Sequence, residues 1–141
     1  MAVAAVVTFP DSKGCKPAIL IVEDEVLIRF AIADYLRECG FKVLEAGNFA
    51  EAVEIIEANV DIGLVFSDVQ IPGEMDGFAL AQWIRCNRPS LPVTLTSGDA
   101  KKSAKAKELC ENEFFFAKPY DAAMVVAHIR QRLGLRDRNG S

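Results

Sequence analysis

Short apolar runs alternate with amphipathic segments along most of the chain. The first run, Ala18–Val22, contains no polar residue, as expected of a strand that is buried on both faces of a sheet. The next segment, residues 26–39, has apolar residues at helical spacing. These periodic positions are Leu27, Phe30, Ala31 and Leu36. Gly40 follows, where a glycine commonly ends a helix, so the pattern predicts a strand and then a helix.

The same alternation recurs to the last part of the chain. Further strands are predicted over residues 41–44, 62–66, 93–96 and 114–117. Helices are predicted over residues 78–86, 100–110 and 122–133, and another begins after Asn48. Asn48 with Glu51 three residues later is typical of a helix start, and Asp121 can cap the last helix. Five strands separated by helices predict parallel pairing in a doubly wound α/β sandwich of three layers.

Polar residues follow four of the five predicted strands. Residues 23–25 (EDE) come after the first strand, and Asp68 comes after the third. The fourth strand ends in Thr96 and Ser97, and Lys118 follows the fifth. Doubly wound sheets place their functional groups beyond the carboxyl ends of the strands, near the point where strand order reverses. The alternation therefore predicts that these side chains meet at one edge of the sheet.

The chemistry of such a cluster is phosphoryl transfer to a carboxylate. Crowded carboxylates attract a hard divalent cation such as Mg²⁺, which prefers oxygen ligands. A carboxylate can itself attack a phosphoryl group, and a lysine and a hydroxyl can stabilise the transferred charge. Taken singly, each residue has an ordinary interpretation: a solvated helix start for Glu23 and Asp24, a turn for Ser97, a surface position for Lys118. Taken together, these residues favour the functional interpretation, because they follow different strands.

The motifs at these strand ends resemble those of the receiver domain of response regulators. They read VEDE at 22–25, SDVQIPGEMDG at 67–77, LTSG at 95–98 and FFFAKPY at 114–120. The resemblance covers roughly residues 17–134. It implies a flavodoxin-like strand order of 2-1-3-4-5 and a phosphorylation-controlled switch in bacterial two-component signalling, in the cytoplasm.

The resemblance also implies a metal site and a phosphoryl acceptor. Asp68 is then the acceptor and, with Asp24, a direct ligand of Mg²⁺ or Mn²⁺. The backbone carbonyl of Gln70 completes the protein ligands, and Glu23 supports the metal through a water molecule. The pair Glu23–Asp24 departs from the more common Asp-Asp, although the longer side chain should still reach a metal-bound water.

The resemblance further implies a switch next to the acceptor. Ser97 is the hydroxyl that turns towards the phosphoryl group, Lys118 pairs with that group, and Phe115 is the switch aromatic. The Lys118–Pro119 peptide bond is expected to be cis. Thr96 also offers a hydroxyl; Ser97 is chosen because a small residue follows it, but a register error of one residue would exchange the two.

The loop after the acceptor is a second departure from the family pattern. The family usually has Pro-x-Met-Asp-Gly, whereas residues 72–77 read PGEMDG, with Pro72 and Gly73 followed by one extra residue. Because this loop lies beside Asp68, partner choice or phosphoryl lifetime is expected to differ.

Composition limits the alternatives. The 141 residues suit one domain, with residues 1–16 as an extension and 135–141 as a tail. The net charge of −4 gives no indication of direct nucleic-acid binding, which usually needs a basic face. No apolar run is long enough to span a membrane, and the short apolar start lacks the features of a signal peptide. The four cysteines form no CxxC pair, and Cys39 and Cys86 are expected to be reduced and at least half-buried.

The expected partners are proteins. A histidine kinase or a phosphotransfer protein would donate the phosphoryl group, and a downstream protein would read the switched surface, with a homodimer as a further option. Because the chain ends soon after the last helix, we expect a stand-alone receiver that catalyses only its own phosphorylation and dephosphorylation. Three rivals are an unphosphorylated interaction scaffold, an Mg²⁺-dependent aspartyl-phosphate phosphatase, and a flavodoxin-like cofactor binder. The phosphatase would need a second acid at the position of Gln70, and the cofactor binder would need a glycine- and hydroxyl-rich loop after the first strand.

Overall fold

The structure, a computed structural model, describes residues 17–58, 61–98 and 114–134. Its strands are β1 (Ala18–Val22), β2 (Lys42–Ala46), β3 (Ile62–Asp68), β4 (Val93–Ser97) and β5 (Phe114–Ala117). Its helices are α1 (Val26–Glu38), α2 (Phe49–Ala58), α3 (Gly77–Asn87) and α4 (Ala122–Arg132). The expected extension over 1–16, the tail over 135–141 and the lysine-rich helix over 100–110 lie outside the described residues.

The described strands form one parallel sheet in the order β2-β1-β3-β4-β5. The predicted fold class and strand order are therefore confirmed. β1 is fully buried, as its unbroken apolar run predicts, because helices cover both faces of the sheet. The strand order reverses between β1 and β3, so the carboxyl ends of these two strands lie side by side at the switch point.

Helix ends follow the predicted capping residues. The Asn48 side chain accepts a hydrogen bond from the Glu51 amide at 2.8 Å, and the Glu51 carboxylate accepts one from the Gly47 amide at 2.8 Å. Asp121 accepts from the Ala123 amide at 3.0 Å and so caps α4. Gly40, after α1, has a φ of 95°, a conformation in which a residue with a Cβ is strained. These local signals fix where the helices begin and end.

Two apolar cores lie on opposite faces of the sheet. On one face α2 and α3 pack over the strands, with buried residues such as Ile56, Leu80 and Ile84. On the other face α1 and α4 cover the sheet, with Leu36 and Ile129 among the buried residues. Burial of such large aliphatic side chains stabilises the domain by roughly 1.5–3 kcal/mol each. The sheet edge that carries the polar strand ends is thus held between two packed layers.

The apolar periodicity of α1 does not mark its buried face, and one expectation about cysteine burial is wrong. Leu27 is 83% exposed and Phe30 is 59% exposed, and Ala31 is also exposed, so most of the periodic positions on α1 point away from the core. The inward face of α1 is instead formed by Ile32, Ala33 and Leu36. Cys86 is exposed rather than buried, because Leu80 and Ile84 take the inward stripe of α3. Cys39 is half-buried, as expected.

Candidate functional site

Three carboxylates meet at the carboxyl ends of β1 and β3. Glu23 and Asp24 follow β1 directly, and Asp68 is the last residue of β3. Each offers a carboxylate oxygen, and these three oxygens lie within 4.8 Å of one another. The adjacent parallel pairing of β1 and β3 brings the acids together across more than 40 residues of sequence. The sequence-predicted acidic cluster is therefore present in the structure.

Lys118, the residue directly after β5, joins this cluster. Its ammonium donates hydrogen bonds to Glu23 Oε1 and to Asp68 Oδ2, both at 2.9 Å. The backbone amide of Lys118 donates to the Ser97 carbonyl at 2.9 Å, which continues the pairing of β5 with β4 beyond the strand. The stem of Lys118 passes over Gly98, where an added Cβ would lie 3.8 Å away in ordinary contact. The Lys118–Pro119 peptide bond is cis.

The charges of the site do not balance. Glu23 and Asp68 are only 4% and 6% exposed, and they share one ammonium. Burial raises the pKa of Glu23, and the charge of Asp68 adds to the rise, against the lowering effect of Lys118. Burial works against the charge of Lys118, but its hydrogen bonds to Glu23 and Asp68 raise its pKa nonetheless. With Asp24 included, the described residues of the site carry an excess of negative charge that a cation would neutralise.

The oxygen donors fit a hard divalent cation. Asp24, Asp68 and Gln70 line an open cleft of about 590 Å³ together with Glu25, Gly98 and Lys118. Asp24 is exposed to this cleft, while Asp68 Oδ1 accepts from the Gln70 amide at 3.1 Å. Glu23 is more engaged, because its Oε1 accepts from Lys118 and its Oε2 from the Glu25 amide at 3.2 Å. Asp24 and Asp68 would therefore hold Mg²⁺ directly, and Glu23 suits a supporting role.

The loop after Asp68 is held close to this residue by a glycine. The Gly77 amide donates to the Val69 carbonyl at 2.7 Å. A Cβ at Gly77 would lie 2.3 Å from the Asp68 carbonyl oxygen, so another residue would force the backbone apart. Pro72 and Gly73 are exposed, and Gly73 has a φ of 101°. The extra residue is thus accommodated in the exposed part of the loop, and the loop still closes onto β3.

Thr96 and Ser97, the two candidate switch hydroxyls, point to opposite faces of the sheet. Thr94 Oγ1 lies 2.8 Å from His128 Nε2, on the α4 side, and Thr96 has the same parity along β4. Leu95 packs in the other core, and Phe115 packs against that core from the neighbouring strand. Ser97 shares the parity of Leu95, so Ser97 and Phe115 belong to one face. This arrangement favours Ser97 over Thr96 as the partner of Phe115.

An exposed apolar surface lies beside the acidic cleft. Val26, Leu27 and Phe30 on α1 are 62%, 83% and 59% exposed, and Tyr35 continues the same helix. A groove of about 750 Å³ runs between α1 and the segment after β5, which supplies Pro119 and Tyr120. Lys118 lines both this groove and the acidic cleft. Sequence reasoning identified Leu27 and Phe30 only as apolar positions at helical spacing, and it did not predict this surface.

The contact of Arg29 with the site was also missed. Arg29 Nη1 donates to the Glu23 carbonyl oxygen at 2.8 Å, and its Nε donates to Glu45 Oε1 at 3.1 Å. No local motif reveals this contact, because Glu45 lies 16 residues further along the chain, on β2.

Comparisons with known proteins agree with this geometry. The family model for the response regulator receiver domain matches residues 19–130. A cyclic di-GMP phosphodiesterase from Thermotoga maritima is 36% identical over 116 residues, 82% of this chain and 30% of that protein. The transcriptional regulatory protein PdtaR from Mycobacterium tuberculosis is 33% identical over 112 residues, 79% of this chain and 54% of that protein. The solved receiver domain of NtrX from Brucella abortus matches with a TM-score of 0.74 at 30% identity, covering 84% of this chain and 99% of that one.

The chain spans about half or less of the length of both curated relatives. The stand-alone organisation expected from the sequence therefore stays a prediction. Within residues 17–58, 61–98 and 114–134, no helix combines the length and the apolar character needed to cross a membrane.

Proposed function

The chain belongs to the response regulator receiver domain family, and from this premise we propose that Asp68 accepts a phosphoryl group from a phosphohistidine. The donor would be a histidine kinase or a phosphotransfer protein, the classes with which receiver domains interact. The observation that carries the proposal is the contact of Lys118 with Asp68 at 2.9 Å, beside the carboxylates of Glu23 and Asp24. A nucleophilic carboxylate, a fixed cation and a metal-binding acid pair then surround one cleft.

The transfer step follows from the position of Asp68. An oxygen of the Asp68 carboxylate forms a bond to phosphorus while the bond from phosphorus to the donor imidazole nitrogen breaks. The electron pair of that bond stays on the imidazole nitrogen, and the imidazole leaves as neutral histidine because the other ring nitrogen of the phosphohistidine carries a proton during the transfer. Bound Mg²⁺ would supply neutralisation of charge on the phosphoryl oxygens. Lys118, already within hydrogen-bond distance of Asp68, supplies a second positive charge at the same place.

The product changes the charge of a buried site. An aspartyl phosphate carries more negative charge than the carboxylate that it replaces, and it offers strong hydrogen-bond acceptors. We propose that Ser97 turns towards these acceptors and that Phe115, on the same face of the sheet, moves inward. The surface beside β5 and α4 would then bind a downstream protein in one state and not in the other. In this role the chain acts in the cytoplasm and catalyses only its own phosphorylation and dephosphorylation.

The apolar face of α1 is the proposed docking surface for the phosphoryl donor. Leu27 and Phe30 are exposed next to the cleft, and exposed apolar patches commonly mark protein contacts. The groove that Leu27 lines reaches Lys118, so a partner on this face is near enough to present a histidine to Asp68. A helical surface would fit such a groove, since a helix can place apolar side chains at regular spacing.

Intact mass after incubation with acetyl phosphate and Mg²⁺ tests the proposed function. Wild-type chain should gain one phosphoryl group, about 80 Da, and Asp68→Asn should gain none, because the amide cannot act as the nucleophile. Omission of Mg²⁺ should abolish the gain. Asp34→Asn is the matched control, since Asp34 is an exposed aspartate on α1, and it should be phosphorylated like wild type.

A gain in Asp68→Asn equal to that of wild type would contradict Asp68 as the acceptor. A wild-type chain phosphorylated neither by acetyl phosphate nor by a kinase would favour the rival interpretation as an interaction scaffold. The phosphatase rival predicts steady release of phosphate from added monoesters, which the proposed function does not.

A further inference from the structure

The backbone that carries the two leading acids is fastened from both sides. The Glu23 amide donates to the Ala46 carbonyl at 3.0 Å, which extends the pairing of β1 with β2 by one residue. The Glu23 carbonyl lies beyond the end of β1, where the strand ladder stops. Arg29 Nη1 donates to this carbonyl at 2.8 Å. The peptide unit that leads into Asp24 therefore has a fixed orientation.

Arg29 is itself held by a second contact. Its Nε donates to Glu45 Oε1 at 3.1 Å, and both side chains are largely shielded from solvent. Gly47 leaves room for the guanidinium, since a Cβ there would lie only 3.3 Å from Arg29 Nη1. A planar guanidinium with several fixed donors can bond a carboxylate and a carbonyl at once. Arg29 thus links α1 and β2 to the loop that presents the acids.

We propose that Arg29 is a positioning residue for the metal ligands. By holding the Glu23 carbonyl, it aims Asp24 into the cleft and keeps the Glu23 carboxylate within reach of Lys118. This inference rests on the proposed function, because it assigns Arg29 to the Mg²⁺ site of that function. Residues that orient metal ligands commonly affect metal affinity about 10–100-fold although they do not touch the metal.

Electrostatics makes the sign of the effect informative. Arg29 is a cation near a cation site, so removal of its charge alone should tighten Mg²⁺ binding. Loss of the carbonyl contact should weaken it, because Asp24 then loses its fixed direction. Loss of charge alone predicts a fall in the Mg²⁺ dissociation constant, and a general packing role predicts no rise in it. A rise in this constant after removal of Arg29 is therefore a signature of positioning.

Arg37 offers a matched control. It donates to the other oxygen of Glu45 at 3.0 Å and to the Val43 carbonyl at 3.0 Å, so it makes the same two kinds of contact as Arg29. Val43 lies within β2, away from the acids. Arg37→Gln therefore removes one positive charge, one contact with Glu45 and one carbonyl contact, and it leaves the Glu23 peptide as it was.

The experiment is Mg²⁺ titration by calorimetry, with chemical unfolding in the absence of Mg²⁺ as a second readout. Arg29→Gln should raise the Mg²⁺ dissociation constant about tenfold. Arg37→Gln should change the Mg²⁺ dissociation constant less than about twofold, although both variants lose a similar, partly exposed ion pair with Glu45. Arg29→Lys keeps the charge and one donor for the Glu23 carbonyl, so it should restore most of the affinity, and it also serves if Arg29→Gln does not fold.

Three results overturn the inference. If wild type binds Mg²⁺ and the dissociation constant of Arg29→Gln is unchanged or lower, Arg29 does not position the ligands and the proposed function stands. If Arg37→Gln weakens binding as much as Arg29→Gln, the effect belongs to the Glu45 network in general. A wild-type chain that neither binds Mg²⁺ nor is phosphorylated on Asp68 overturns the proposed function, and the inference with it.

Discussion

At the scale of single residues, the site is governed by one ammonium shared between two buried carboxylates. Lys118 donates to both Glu23 and Asp68, so among the residues that the structure describes neither acid has a cation of its own. Burying charges is costly unless they are paired, and incomplete pairing leaves an attraction for further positive charge. Phosphorylation of Asp68 would increase that negative charge. Lys118 is therefore placed to respond to both cation binding and phosphoryl transfer.

A second buried residue titrates outside the site. His128 on α4 lies under the sheet with its Nε2 2.8 Å from Thr94 Oγ1 and its ring centroid 5.5 Å from that of Phe116. Burial lowers the pKa of His128 to about 4, and the positive charge of Arg132 contributes to the lowering. The folded chain thus keeps His128 neutral over a pH range in which the unfolded chain protonates it.

His128 should make stability depend on pH below neutrality. The pKa of His128 is depressed in the folded state. Its contribution to the free energy of unfolding is therefore complete above pH 6.5 and is lost as the pH falls towards 4. Between pH 7 and pH 5 this loss amounts to about 2 kcal/mol of unfolding free energy. Urea unfolding at both pH values checks it, with His128→Asn as the comparison. Equal losses in wild type and variant would show that the histidine does not carry the effect.

At the scale of elements, α1 shows what periodicity does and does not specify. The spacing of Leu27, Phe30 and Leu36 predicts a helix, and the helix is present. The helix carries two apolar stripes, and only the sheet decides that Ile32 and Ala33 face inward. The outer stripe is then left beside the cleft. Helix existence could be predicted from local pattern, whereas the choice of buried face required the tertiary packing.

Substitutions on the outer face of α1 should slow phosphoryl transfer only from a protein donor. Leu27→Glu places a charge on an exposed apolar position, so stability should change by less than about 0.5 kcal/mol. The rate of phosphoryl transfer from a phosphohistidine-bearing kinase domain that phosphorylates wild type should fall about tenfold or more. The reason is that a charge placed in an apolar contact should cost about 1.4 kcal/mol or more of docking free energy. Phosphorylation by acetyl phosphate should be unchanged, since that donor needs no docking surface.

Both rates are read from the appearance of phosphorylated chain by intact mass. Glu38→Gln, at the far end of α1, is the control for a charge change on this helix. Equal loss with the kinase domain and with acetyl phosphate would mean that the substitution disturbs the acidic cleft. No loss with the kinase domain would place the docking surface elsewhere.

At the scale of the whole molecule, the alternation of strands and helices predicted the site more reliably than any single residue. Glu23, Asp24, Asp68 and Lys118 each have an ordinary interpretation alone, and the parallel sheet brings them within hydrogen-bond or ligand distance. The contact of Arg29 with the Glu23 carbonyl could not be predicted in this way. It depends on side-chain directions and on room beside Gly47, which strand and helix patterns do not encode.

Cation binding and folding should be linked across the whole domain. The proposed ligand oxygens of Asp24 and Asp68 lie at the ends of two strands that the unfolded chain does not hold together, so Mg²⁺ should bind the folded state preferentially. At ten times its dissociation constant, Mg²⁺ should raise the unfolding free energy by about 1.4 kcal/mol. Asp24→Asn should abolish this gain, and Asp34→Asn should keep it, as followed by urea unfolding at several Mg²⁺ concentrations. A gain that persists in Asp24→Asn would show that Mg²⁺ binds away from the strand ends, and the acidic cleft would then lack its assigned ligand.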